Sequence, residues 1–82
     1  MDNARKVEKD DVLATMRTQS GRNFINRIIE TTNAYGSAFD KDSRTHAFNE
    51  GMRQVGLALI DELIESAPEE YKRMLTENLS ND

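Results

Sequence analysis

The stretch that decides the fold is Ser43-Arg44-Thr45-His46-Ala47-Phe48-Asn49-Glu50-Gly51-Met52-Arg53-Gln54-Val55-Gly56-Leu57-Ala58-Leu59-Ile60-Asp61-Glu62-Leu63-Ile64-Glu65. At about 100° per residue, Phe48, Met52, Val55, Leu59 and Leu63 form one apolar stripe, and Leu57, Ile60 and Ile64 form a second beside it. Period-two alternation is absent. The spacing predicts a long helix over about residues 43–65 with partners on both flanks, and a polar arc of Glu50, Gln54, Asp61 and Glu65. Ala47, Gly51 and Ala58 align as a strip of small residues. A glycine inside a helix costs about 1 kcal/mol relative to alanine, so Gly51 and Gly56 imply close approach of another backbone.

Working outward, Val12, Leu13 and Met16 predict a short first helix over about residues 8–17. Thr18 is placed to cap a second helix that runs to about Asn33. Its apolar stripe is Phe24, Ile25, Ile28 and Ile29, extended by Thr32 and Tyr35, with Arg22, Asn26 and Glu30 facing out. Tyr35 to Asp42 reads as a connection, with Gly36 as a left-handed helix stop and Phe39 plugging the core from the loop. Asp42 or Ser43 caps the long helix. Ser66 and Glu69 form a capping-box pattern, and Pro68 suits the first turn of a last helix over about 67–78. The expected fold is therefore all-α: a small bundle of three to four helices around one long central helix. One domain spans residues 1–82, frayed at 1–7 and 79–82.

Composition sets outer bounds on function. The 82 residues leave room for a single small core, and there is no cysteine to build a disulfide, a thiolate nucleophile or a thiolate-bound zinc. A reducing cytoplasm is the expected setting. Hydrophobic residues at 37%, charged residues at 32% and a mean hydropathy of -0.75 suit a soluble helical domain. No apolar run approaches the roughly 20 residues of a membrane span, and the charge-rich N-terminus lacks the apolar core of an export signal. The net charge of -4 is uneven: +1 over residues 1–56 and -5 over residues 57–82. Direct nucleic-acid binding is not expected, because no basic cluster is present and the pI is about 4.9.

No catalytic constellation emerges. His46 is the single histidine, with Asp42 and Glu50 one turn away on either side, and no second imidazole completes a zinc site. From Asp40 the EF-hand count puts Thr45 where glycine is needed and Gly51 where a bidentate glutamate is needed. The serines read as caps and turns, and the adjacent carboxylate pairs as solvated faces. The expectation is a non-enzyme with no cofactor, no metal and no catalytic residue. Arg53 lies beside Met52 and near Leu57, so it either pairs with Glu30 or Glu50 at the core edge or faces a partner.

Four segments together carry a resemblance. Met16-Arg17-Thr18-x-Ser20-Gly21-Arg22-x-Phe24, the loop Tyr35-Gly36-Ser37-Ala38-Phe39, and Ala47-Phe48-Asn49-Glu50-Gly51-Met52-Arg53-x-Val55-Gly56-Leu57 are followed by Pro68-Glu69-x-Tyr71-x-x-Met74. Over about residues 12–77 this resembles a family of small tailed-bacteriophage proteins typified by one from a Bordetella phage. Members are generally of unknown function; the resemblance implies a gene placed among head and portal genes. It assigns no catalytic residue. The implied function is a virion or head-assembly protein that binds portal, capsid, scaffold or internal virion proteins, with a homo-oligomer among the expected partners.

The alternative is a host-takeover regulator that inhibits a host protein through the acidic C-terminal surface. The expected location is the virion or the infected-host cytoplasm. Gly21, Arg22, Phe39, Glu50, Gly51, Arg53, Gly56, Leu57 and Ile60 are the candidate interface or packing residues, with Leu57 and Ile60 on the flank that a sister chain would cover.

Overall fold

The computed structural model of the chain describes residues 3–79. Four helices follow one another: α1 (Asn3–Met16), α2 (Gln19–Thr32), α3 (Ser43–Ser66) and α4 (Pro68–Leu79), with no strand among the described residues. The architecture is the all-α bundle around a long central helix. Each helix touches each of the others.

Thr18 caps α2 as its position predicts, its hydroxyl accepting from Gly21 N at 2.9 Å. Asp42 is the cap of α3: its carboxylate accepts from Arg44 N and from the Thr45 hydroxyl, both at 3.1 Å. Pro68 opens α4, where its missing N–H costs nothing.

Other boundaries differ from expectation. Helix α1 begins at Asn3 rather than residue 8, because Arg5 and Lys9, one turn apart, both reach Glu65 on α3. Residues 3–7 and Leu79 are helical, while Met1, Asp2 and residues 80–82 lie outside the described residues. The left-handed stop of α2 is Asn33 (φ 54°, ψ 39°), not Gly36, which has no positive φ. Asparagine tolerates that region, and its side-chain amide donates to Ser37 O at 3.2 Å, bracing the turn. Ser66 ends α3 instead of capping α4; Ala67 is the single residue between them.

The core is small. Met16, Ile29, Leu63 and Met74, one from each helix, are the large side chains that are fully buried, joined by Ala34, Ile60 and Ala67. On α3 the buried line is Gly56, Ile60 and Leu63, continued by Ala67 just past its end, so the helix is rotated from the predicted stripe: Phe48 and Val55 face solvent. Leu57 and Ile60 pack into this chain's own core rather than onto a sister chain. On α2, Ile29 and Thr32 are buried, whereas Phe24, and Tyr35 in the turn that follows, are mostly exposed. Phe24 lies under the Arg27 guanidinium at 5.8 Å.

The body is a flat slab of 43 × 36 × 15 Å with a radius of gyration of 14.5 Å, against about 12 Å for a compact domain of this length. Its surface of 5966 Å² likewise exceeds the roughly 5000 Å² of a folded monomer of this mass.

Gly56 explains the closest helix approach. A Cβ there would overlap the Thr32 hydroxyl and lie 2.7 Å from Ala34 Cβ. Thr32 cannot easily yield, since its hydroxyl donates to Ile29 O at 2.6 Å. Gly51 is the opposite case: a Cβ would meet nothing within 4 Å, so the expected close approach is absent there. We predict that Gly56→Ala destabilises the fold by about 1–3 kcal/mol, while Gly51→Ala keeps or raises stability by up to about 1 kcal/mol; urea denaturation measures both.

Candidate functional site

Arg22 is the most constrained polar residue. It was expected to face out, yet it is 3% exposed, because it stands seven residues before Ile29 and ten before Thr32 on the same helical face. Gly21 beside it lets α1 and α2 close up: a Cβ there would sit 2.8 Å from both the Thr15 carbonyl carbon and the Thr18 hydroxyl.

The guanidinium binds three helices. Its Nη1 donates to Met16 O at 3.0 Å, satisfying a carbonyl at the end of α1 that has no helical partner. Nε and Nη2 grip the two Glu77 carboxylate oxygens, each at 3.0 Å, in a bidentate pair. Nη2 also donates to Gln19 Oε1 at 3.2 Å. Arg73 adds a second cation 3.7 Å from Glu77. The hydrogen bonds from Arg22 hold the Glu77 carboxyl below its ordinary 4.5, against the opposing effect of partial burial. Glu77 raises Arg22 in turn. Four of the five guanidinium N–H donors are committed, so this cluster clamps helices rather than offering a ligand site.

The remaining candidates do not join it. Gly56 meets Thr32 and Ala34 at the far end of α2, about 15 Å along the helix from Arg22 at 1.5 Å per residue. Glu50 Oε1 accepts from Arg53 Nη1 at 3.1 Å and from Gln54 Nε2 at 2.8 Å, so Arg53 is a core-edge residue paired within its own helix. The Gln54 bond first, and the Arg53 and His46 charges after it, lower the Glu50 carboxyl.

Phe39 does not plug the core. It is 74% exposed and meets His46 edge-on at 6.3 Å between centroids. His46 Nδ1 lies 3.1 Å from Ala38 O, so the single imidazole braces the α2–α3 loop.

Glu77 and Glu65 are ion-pair partners of Arg22 and of Arg5 and Lys9, pairings that sequence reasoning missed. Glu77 stands three residues after Met74, on the same face, which was the available signal. Among the described residues no group of three or more His, Asp or Glu is placed to hold a metal ion. No helix among them is long and apolar enough to cross a membrane. An open apolar groove of about 160 Å³ lies between α1, α2 and α3, lined by Val12, Met16, Ile25, Leu59 and Leu63 with Asp11 and Thr15.

Removing Arg22 strands a partly buried carboxylate and a helix-end carbonyl. We predict that Arg22→Leu lowers the melting temperature by roughly 10 °C or more, with Glu77→Gln, which keeps an acceptor, costing less. Because Glu77 titrates lower in the folded chain, its contribution is present above pH 4.5 and fades as pH falls through the folded value. Circular-dichroism melts between neutral and acid pH should therefore show a shallower acid decline in Glu77→Gln than in the parent.

Comparison with known proteins places this framework. No curated protein and no solved structure matches the chain. The model of the family described as Bbp19-like phage protein matches residues 12–76, from the buried turn of α1 through the Arg22 cluster and α3 to Thr76, one residue short of Glu77. With 65 of its 82 residues matched, the chain belongs to the family of Bbp19-like phage proteins.

Proposed function

We propose that the protein is a virion or head-assembly component that acts by binding other proteins and not by catalysis. The observation that carries this reading is the ratio of exposed to buried apolar groups. Four large side chains are fully buried, whereas Val7, Phe24, Tyr35, Phe39, Phe48, Val55, Ile64, Leu75 and Leu79 are exposed on a slab 15 Å thick. Apolar surface of that extent on a small body supports protein contact. Membership of a phage protein family, and the head and portal gene context that the resemblance implies, favour portal, capsid, scaffold or internal virion proteins as partners.

The host-takeover alternative has less support. It needs an uncompensated acidic surface, and folding commits two carboxylates of the acidic third internally: Glu65 to Arg5 and Lys9, and Glu77 to Arg22. Mass spectrometry of purified procapsids and mature particles should find the chain in at least one of them. Its absence from both, together with specific capture of a host protein that is lost on reversing Glu69 and Glu70, would replace the assembly reading with the inhibitor.

A further inference from the structure

The outer side of α3, away from the core, carries Phe48, Gly51, Val55 and Ala58, all exposed, with Phe48 at 67% and Val55 at 62%. Their spacings of three and four residues are those of a helix–helix seam. Arg44 precedes Phe48 by one turn and Glu62 follows Ala58 by one turn, both exposed on the same side. Neither side chain has an ion-pair partner among the described residues. Nothing stands over Gly51, where a Cβ would meet no atom within 4 Å.

We infer that this face pairs with the same face of a second copy, antiparallel, across a two-fold axis at position 53. Such an axis sets Gly51 opposite Val55, Phe48 opposite Ala58 and Arg44 opposite Glu62, and each match occurs twice. Large residues meet small ones along the seam, and opposite charges close both ends. A parallel pairing would set Arg44 on Arg44 and Glu62 on Glu62, so the charges select the antiparallel arrangement. The area agrees. The chain exposes 5966 Å², about 950 Å² more than a monomer of its mass, and a stable interface covers about 800 Å² on each partner. The inference concerns self-association alone and holds whether or not the protein enters the virion.

Sedimentation equilibrium of the full chain at micromolar concentrations tests it. The parent should sediment at twice the 9.4 kDa chain mass. Val55→Glu should weaken the dimer by about a hundredfold or more, since it buries a charge in the seam. Arg44→Glu and Glu62→Arg should each weaken it about tenfold, through two repulsive contacts, and the double variant Arg44→Glu/Glu62→Arg should restore it. Circular dichroism checks that the variants stay helical; should Val55→Glu unfold, the charge-reversal set decides alone. A monomeric parent, a dimer indifferent to these changes, or a double variant no tighter than the singles would overturn the inference.

Discussion

The fold depends on one buried cation. With a core of four large side chains, apolar burial at about 25 cal/mol per Å² leaves little margin over conformational entropy. Arg22 compensates by organisation. It ties the last turn of α1, the first turns of α2 and the last turn of α4, joining positions 55 residues apart in the chain. A lysine could not replace it, because one ammonium cannot grip a carboxylate bidentately and also reach a carbonyl in a different direction. Every buried side-chain N or O atom among the described residues has a partner, so the clamp introduces no unsatisfied group.

Close approach is the second constraint, and it makes the clamp possible. Gly21 and Gly56 are the places where a Cβ would run into a neighbouring segment: Thr15 at the end of α1 and the cap Thr18 for the first, and Thr32 and Ala34 at and just past the end of α2 for the second. Both ends of α2 are thereby held close to a neighbour, with Arg22 turned inward at one end and Thr32 at the other. The glycines act through packing; neither has a positive φ.

How much of this was legible in the sequence follows from where the information lies. Helix number, the Thr18 cap and Pro68 at the start of α4 rest on local rules, and the structure bears them out, whereas the close approach expected at both Gly51 and Gly56 is found at Gly56 and not at Gly51. The rotation of α3 was not legible, because that helix carries two adjacent apolar stripes and Phe48, Val55, Ile60 and Leu63 offer competing lines of similar strength. Tertiary contact chose the line through Gly56, Ile60 and Leu63, leaving Phe48 and Val55 outside. Arg22 was misplaced for a related reason: treating a charged residue as outward ignores its seven-residue spacing from Ile29, and its partner Glu77 is too distant in sequence for any local rule to find. At the start of α1 the missing information was again non-local, since the helix is extended by cations that meet Glu65 on another element.

The charge asymmetry acquires a different meaning once folded. A near-neutral body joined to an acidic C-terminal third suggests, in one dimension, a negative tail offered to an outside partner. In three dimensions part of that acidity is counter-charge for the chain's own cations: Arg5 and Lys9 on α1 neutralise Glu65, and Arg22 neutralises Glu77. The hydrogen bonds from these cations depress both carboxyls, so the folded state favours their ionised form more than the unfolded chain does. Electrostatics here works first to hold helices of different sequence position together.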